Sequence, residues 1–147
     1  MDSRWLDDYI SAWLLHPQAG SAEGAAVLAQ LLRFMSPTVR YEDVPSGTVF
    51  VGHEGVKEMS EGAHQWSSDL AFKVLTRQIN GSLYAFETET SGTNTGTTGP
   101  MPATRRPFVL RGVSVGTVSA DGLVEEHRDY WDLGSFLVQM GVLTGLS

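Results

Sequence analysis

The chain contains no cysteine, few basic residues and no long hydrophobic run. Without cysteine, it can form neither a disulfide bond nor a thiol nucleophile. Ten Lys and Arg residues against 17 Asp and Glu residues give a net charge of −7, which argues against nucleic acid or an anionic membrane as the main partner. The first apolar stretch is interrupted by acidic residues, so we expect no signal peptide and no membrane span. These features favour a soluble, cytoplasmic protein.

The usual motifs for metals and nucleotides are also missing. His16, His53 and His64 are scattered, without ligand-like spacing to one another or to paired carboxylates. The glycines between residues 92 and 99 alternate irregularly with threonine and match neither a Walker-type nor a dinucleotide-binding pattern. The sequence therefore predicts no metal site and no cofactor.

The order of the predicted elements indicates one α+β domain over residues 1–147. Periodicity predicts helices at 4–15, 22–35, 53–66 and 133–141, and strands at 38–43, 49–51, 70–79, 83–90 and on both sides of Asp121-Gly122. Asn80-Gly81 and Asp121-Gly122 are typical of hairpin turns, because these residues tolerate a positive φ. A Gly-, Thr- and Pro-rich loop at 91–104 is long enough to have a function. Helices followed by antiparallel hairpins indicate helices that cover one face of a curved sheet.

Strand alternation groups the polar residues of the second half. It places Glu125, His127, Asp129 and Trp131 on one face of the last strand. On the strand at 83–90, one face contains Glu87 and Glu89, and the other contains Tyr84, Phe86 and Thr88. Alternation alone leaves open which of these two faces is inside.

One segment gives a specific resemblance. His127-Arg128-Asp129-Tyr130-Trp131-Asp132-Leu133, followed by an apolar helix, resembles the closing strand and helix of the SnoaL-like polyketide cyclases. Limonene epoxide hydrolases have a similar stretch. The segments 91–96 and 103–106 resemble the cyclases' Gly-Thr-His-Thr-Gly and Pro-Thr-Gly-Arg elements, and the likeness extends from about Tyr41 to Gly141. It implies a cone-shaped α+β barrel, in which N-terminal helices pack on a curved, mainly antiparallel sheet that encloses an apolar cavity.

The resemblance to the cyclases implies acid/base catalysis without a cofactor. These enzymes close a polyketide ring by an aldol step that uses an aspartate, and Asp129 is the matching position. We expect an apolar cavity to raise the pKa of Asp129, and Glu87 and Glu89 to raise it further. Asn94 stands where the cyclases often have a histidine, and an amide can bind a substrate carbonyl but cannot shuttle a proton.

The resemblance to the epoxide hydrolases implies a different set. Their catalytic Asp–Arg–Asp residues match Glu89, Glu87 and Asp129, so the arginine is lost and the same mechanism is disfavoured. Their water-positioning Tyr and Asn match Tyr41 and Asp43, and Trp66 matches a cavity-lining position. Arg111 is a candidate for a substitute cation, provided that its face is turned inward.

These matches lead to one hypothesis and several alternatives. The hypothesis is a SnoaL-like enzyme that cyclises, isomerises or dehydrates an apolar carbonyl compound. Its predicted catalytic residues are Asp129 and Glu89, and its predicted substrate-binding residues are Tyr41, Asp43, Trp66, Glu87, Asn94, Arg111 and His127. The alternatives are an epoxide hydrolase-like enzyme with an altered catalytic set and a non-catalytic binding or dimerising module.

Each candidate residue also has a structural interpretation. Asp129 could pair with Arg128 or Arg111, Glu87 and Glu89 could face solvent, and His127 could be a hydrogen-bonded core residue. A homodimer is expected in either case, since an open curved sheet leaves an apolar outer face.

Overall fold

The computed structural model describes residues 1–17, 22–97 and 101–145. Four helices are present in these ranges: α1 (Ser3–Trp13), α2 (Gly24–Leu32), α3 (Gly52–Trp66) and α4 (Leu133–Gln139). Helix α1 begins where the Asp2 carboxylate accepts a hydrogen bond from the Trp5 amide at 2.9 Å. It buries Leu6, Tyr9, Ile10 and Trp13, which recur at helical spacing and so form one apolar stripe.

Six strands form one curved sheet. The strands are β1 (Met35–Asp43), β2 (Thr48–Val51), β3 (Ala71–Asn80), β4 (Leu83–Thr93), β5 (Pro107–Val118) and β6 (Val124–Trp131). Their order is β2-β1-β6-β5-β4-β3, and every neighbouring pair is antiparallel except β1 and β6. Within the part of the chain that the structure describes, strands β2 and β3 are the edges of this sheet, so the sheet does not close. The predicted α+β cone fold is confirmed.

The two predicted hairpin turns are present. Strands β3 and β4 are joined by Gly81-Ser82, and Gly81 has a φ of +62°. Strands β5 and β6 are joined through Gly122, which has a φ of +79°. Both glycines adopt a conformation that costs other residues energy.

A β-bulge corrects one prediction about strand β6. Thr117 pairs with Glu126, but Val118 pairs with Val124, so Glu125 is the extra residue. Val124 and His127 are therefore both buried although they are three residues apart, and Glu125 is exposed. The prediction that Glu125 shares the inner face with His127 is wrong, because the bulge shifts the alternation.

The interior contains two apolar clusters. The larger one joins α1 and α2 to the sheet and includes Tyr9, Trp13, Tyr41, Tyr84 and Phe86. The smaller one lies under α4 and consists of Phe108, Leu110, Phe136 and Met140, with Trp66 and Trp131 packed against it. The polar site described next contacts residues of both clusters.

Candidate active site

The centre of the site is Asp129, near the C-terminal end of strand β6. It lies directly opposite Ser114 of β5 and is in register with Asp43 of β1. His127 is two residues away on the same face and is in register with Tyr41. Adjacent strands thus bring side chains from three parts of the chain to one point of the inner surface.

Three hydroxyl and ring donors surround the Asp129 carboxylate. Its Oδ1 atom accepts from Ser114 Oγ at 2.5 Å and from His127 Nε2 at 2.8 Å. Its Oδ2 atom accepts from Tyr41 Oη at 2.6 Å. Since a carboxylate offers about four acceptor positions, one lone pair of Oδ2 receives no donor from the described residues. Asp129 exposes 21% of its side chain, whereas the His127 side chain is fully buried.

These donors decide the charge of Asp129. Burial by itself raises the pKa of the carboxyl, but the charge interaction with His127 and the hydrogen bonds from His127, Ser114 and Tyr41 outweigh it. The pKa of Asp129 therefore lies below its ordinary value. The prediction that the cavity raises this pKa is wrong, because the polar partners of the carboxylate were not visible in the sequence pattern. Asp129 is ionised at neutral pH.

His127 lies behind Asp129 and holds it from the protein side. An ionised carboxylate can only accept, so Nε2 carries the proton that points to Asp129. The opposite ring atom, Nδ1, lies 2.7 Å from Tyr84 Oη and 2.9 Å from Tyr9 Oη. The ring also stacks on Tyr41, with 4.4 Å between centroids. Because its side chain has no exposed surface, His127 supports Asp129 from within the protein, and the structure does not support its predicted contact with a substrate.

The tyrosines of the site act as neutral donors. Burial raises the pKa values of Tyr9, Tyr41 and Tyr84, and the charge of Asp129 adds to the effect. The Tyr41 hydroxyl donates to Asp129 and accepts from Trp13 Nε1 at 2.9 Å. Tyr41 is fully buried, so it also supports the carboxylate from behind.

Asp43 and Trp66 lie toward the smaller cluster. Asp43 accepts a hydrogen bond from Trp131 Nε1 at 2.5 Å, and this bond links β1 to β6. Trp66 is the last residue of α3 and stacks on Phe108 at 5.0 Å, with the Trp131 ring at 6.3 Å. These residues line the same side of the sheet as Asp129.

Asn94 organises the loop that follows β4. Its Oδ1 atom accepts from the amide and the hydroxyl of Thr104, and its Nδ2 atom donates to the Gly96 carbonyl. The side chain is completely buried. Its hydrogen-bonding atoms hold the loop together, so the structure does not support the predicted contact with a substrate carbonyl.

Glu87, Glu89 and Arg111 lie on the other side of the sheet. Tyr84, Phe86 and Thr88 are the buried residues of β4, and alternation turns the two glutamates outward. Arg111 exposes 64% of its side chain, and its Nε atom is 3.2 Å from Glu89 Oε2. The predictions that Glu87 and Glu89 lie beside Asp129, and that Arg111 supplies a cation there, are wrong. The acid pair of the epoxide hydrolases is not formed.

Sequence reasoning did not select Ser114, Tyr9, Tyr84, Trp13 or Trp131 as site residues. Ser114 could have been recognised as a small polar residue in phase with Phe108 and Leu110. In the hydrophobic pattern of the sequence, the two tyrosines and Trp13 cannot be distinguished from ordinary core residues. Their role depends on the contact between α1 and the sheet.

Two surface grooves lie away from Asp129. One, of about 540 Å³, is formed by β2 and α3 around Phe50 and Glu58. The other, of about 530 Å³, lies between α1 and α2 around Leu15 and Arg33. Neither contains a predicted site residue.

Among the described residues, no three His, Asp or Glu side chains are grouped to hold a metal ion. None of the helices in the described ranges has the length and apolar character needed to span a bilayer.

Solved structures share the fold over nearly the whole chain. TsrD from Streptomyces laurentii has a TM-score of 0.82 at 22% identity, over 97% of this chain and 99% of that one. A proposed SnoaL-like polyketide cyclase from Jannaschia sp. CCS1 has a TM-score of 0.79 at 16% identity, over 95% and 94%. IdmH from Streptomyces antibioticus, a proposed polyketide cyclase, has a TM-score of 0.70 at 23% identity, over 92% and 98%. At these identities the likeness establishes the fold alone.

Sequence comparison identifies the family. No curated protein matches the chain. The family model of the SnoaL-like domain, however, matches residues 19–127, which is more than half of the chain. The resemblance noted in the sequence is confirmed, and the protein belongs to the SnoaL-like domain family.

Proposed function

We propose that the protein is a cofactor-independent enzyme that performs acid/base chemistry on an apolar, carbonyl-bearing small molecule. The reaction is a polyketide-type aldol cyclisation, or an isomerisation or dehydration that begins with the same proton removal. The observation that carries this proposal is the Asp129 carboxylate, which is ionised, partly exposed and held by three donors. The SnoaL-like family assignment and the likeness to proposed cyclases also support it.

In this mechanism Asp129 first acts as a base. The free lone pair of Oδ2 takes a proton from the carbon next to a substrate carbonyl, and the C–H electron pair moves onto the carbonyl oxygen to form an enolate. The enolate carbon then attacks a second carbonyl of the same molecule, which forms the new C–C bond. The resulting alkoxide takes the proton back from Asp129, so nothing is oxidised or reduced.

The buried donors make Asp129 a defined base. Ser114, His127 and Tyr41 fix the orientation of the carboxylate. A base held in the reactive orientation lowers the barrier, because no entropy is lost in orienting it during the reaction. The low pKa of Asp129 keeps the carboxylate ionised at neutral pH, which is the form that can accept a proton. The base becomes stronger when a bound apolar substrate displaces water from its exposed face.

Deuterium exchange tests the proposal without knowledge of the natural substrate. The protein in D2O is incubated with 2-tetralone, a bicyclic ketone, and loss of the proton signal next to the carbonyl is followed by NMR. Wild-type protein is expected to accelerate exchange, and Asp129→Asn to lose about 10²-fold or more of that acceleration, as is typical of a general base. Glu89→Gln is the matched control, since it neutralises an outward-facing carboxylate, and it should exchange like wild type.

Two results would count against the proposal. Equal exchange by wild type and Asp129→Asn would show that Asp129 is not the base. Absence of acceleration across 2-tetralone and other bicyclic ketones would favour the alternative of a non-catalytic binding module.

The expected homodimer is a separate proposal, supported by Leu83, Val109 and Tyr130, which are exposed on the outer face of the sheet. Sedimentation that shows only monomer would refute it.

A further inference from the structure

The two edge strands of the sheet differ in how they are protected against pairing with another chain. Strand β3 carries Lys73 and Arg77, and its extra residue Leu75 interrupts the pairing with β4 as a β-bulge. Edge charges and bulges are devices that prevent a further strand from adding to a sheet. Strand β2 reads Thr-Val-Phe-Val and pairs with β1 without a register shift, so it has neither device. Of the two edges in the described ranges, β2 is the one open to another strand.

A groove follows this open edge. It has a volume of about 540 Å³ and lies between β2 and α3. Val49, Phe50 and Val51 all line it, although successive side chains of a strand point to opposite faces. Lining by three consecutive residues therefore indicates a groove that runs along the backbone edge of the strand.

The two faces of β2 differ beside the groove. Phe50 packs against the larger apolar cluster, and a Cβ at Gly55 of α3 would lie only 2.8 Å from the Phe50 carbonyl carbon. Helix α3 thus covers the Phe50 face. Val49 and Val51 are on the opposite face and expose 38% and 64% of their surface.

Helix α3 forms an acidic wall of the groove. Glu54, Lys57, Glu58 and Glu61 line it, and their spacing of three and four residues places them on one face of the helix. All four are exposed, and none forms an ion pair with another described residue. Three carboxylates against one ammonium group make this wall negative.

These features define the chemistry of an occupant. A peptide that adds to a sheet edge is held by backbone hydrogen bonds, and its side chains alternate between the two faces. On the face that α3 covers, basic side chains would meet the carboxylates. On the opposite face, β-branched side chains would form cross-strand pairs with Val49 and Val51.

A second copy of this chain fits the edge less well. Pairing of β2 with β2 would place the acidic α3 wall of each copy beside the shared edge, and the whole chain has a net charge of −7. Like charges brought together across an interface oppose association. The charge therefore favours a different, basic partner.

We propose that the edge of β2 and the acidic face of α3 bind an extended segment of a protein partner in which lysine or arginine alternates with β-branched residues. The segment adds a strand to β2, and its cations lie against Glu54, Glu58 and Glu61. Strand β1 separates this surface from the strand of Asp129. The proposal goes beyond the proposed function and does not depend on it.

Three capped peptides separate strand addition from simple attraction between charges. TKVKVKT has the proposed pattern, and TEVEVET reverses its charges. The third peptide is TKVKVKT with N-methyl groups on its third and fourth residues; it keeps every side chain but loses one N–H on each edge, because neighbouring residues of a strand direct their N–H groups to opposite sides. In NMR spectra of the ¹⁵N-labelled full chain, TKVKVKT should shift the amide signals of 48–51 and 54–61. The other two peptides should bind at least tenfold more weakly.

Substitutions in the protein test the two sides of the groove. Val51→Lys gives the open edge a charge and removes a cross-strand valine, so it should weaken TKVKVKT binding about fivefold or more. Val109→Lys is the matched control, since it adds the same charge at an exposed valine that does not line the groove, and it should bind within about twofold of wild type. Replacing Glu54, Glu58 and Glu61 together by glutamine should weaken binding about tenfold, the combined loss expected for three exposed ion pairs.

Each outcome decides the proposal. Equal binding of the methylated peptide would show attraction between charges without strand addition and would overturn it. Absence of shifts at 48–51, or equal binding by wild type and Val51→Lys, would also overturn it. Signals of 48–51 that move with protein concentration, without peptide, would assign the edge to a second copy instead. Asp129→Asn should bind TKVKVKT like wild type, so the deuterium-exchange test of the proposed function is decided separately.

Discussion

Two buried serines allow a direct test of the polar site. Ser114 is 2% exposed and donates to Asp129 at 2.5 Å, whereas Ser60 of α3 is completely buried and its hydroxyl has no partner among the described residues. Replacing either residue by alanine removes one oxygen atom. The two substitutions thus change volume equally and differ in the hydrogen bond.

The expected effects have opposite signs. Ser114→Ala removes a hydrogen bond to a charged acceptor and should lower the free energy of unfolding by about 2 kcal/mol. Ser60→Ala removes an unpaired buried hydroxyl and adds helix propensity, so it should raise the free energy of unfolding by about 1 kcal/mol. The difference of about 3 kcal/mol corresponds to roughly 9 °C in Tm for a chain of this length.

Thermal melts at pH 7, followed by circular dichroism, measure both variants under the same conditions. A urea titration of each variant checks that the transition stays two-state with an unchanged m-value. Equal Tm values for the two variants would refute the assignment of Ser114 as a partner of Asp129. A fall in Tm for Ser60→Ala as large as that for Ser114→Ala would show that the Ser60 hydroxyl has a partner.

Three further predictions concern pH and close packing. Asp129 has a lower pKa in the folded protein than in the unfolded chain, where the pKa of aspartate is about 3.9, so its ionised form stabilises the fold above that pH. This stabilisation is lost as the pH falls through the folded pKa. Urea titrations from pH 5 to 2 should therefore show that the free energy of unfolding depends less on acid in Asp129→Asn than in the wild type. Burial lowers the pKa of His16 to about 4, so the unfolded chain binds one more proton than the folded protein between pH 6.5 and 4. Up to about 3 kcal/mol of the free energy of unfolding is therefore lost as the pH falls over that window. His16→Asn keeps a donor for the Trp13 carbonyl, and its free energy of unfolding, measured between pH 7 and 4.5, should not show this loss. An alanine Cβ at Gly116 would lie 2.3 Å from Tyr84 Oη and 2.5 Å from the Glu126 carbonyl, so Gly116→Ala should destabilise the fold by about 3 kcal/mol. Gly62 lies on the open surface of α3, and Gly62→Ala should stabilise the fold by up to about 1 kcal/mol. Equal Tm values for the two variants in thermal melts would contradict the close approach of Tyr84 to β5.

Local signals in the sequence were sufficient for the elements and the family. Apolar spacing predicts α1 and α3 within two residues of their bounds, because a helix face and its periodicity are properties of adjacent residues. The hairpin after Asn80 was predicted from turn chemistry, which is equally local. The segment from His127 to Leu133, together with 91–96 and 103–106, indicated the family that the match over residues 19–127 establishes, and the family implied the cone fold.

The inner and outer faces of the sheet were decided by tertiary structure. Alternation grouped Glu87 with Glu89 but could not tell which face packs on the helices; the burial of Tyr84 and Phe86 against α1 decides it. The bulge at Glu125 is a second example, since it depends on the pairing of β5 with β6. For the same reason Arg111 pairs with Glu89 on the outer face of the sheet and does not supply a cation beside Asp129.

The chemistry of Asp129 required the assembled fold. The sequence by itself determined that an aspartate stands at this position of the family segment. Its ionisation depends on Ser114, Tyr41 and His127, which come from β5, β1 and β6, and His127 in turn depends on Tyr9 of α1 and Tyr84 of β4. A pKa is set by the charges and donors within a few ångströms of a group, and residues up to 118 positions apart meet here only when the sheet and α1 pack together.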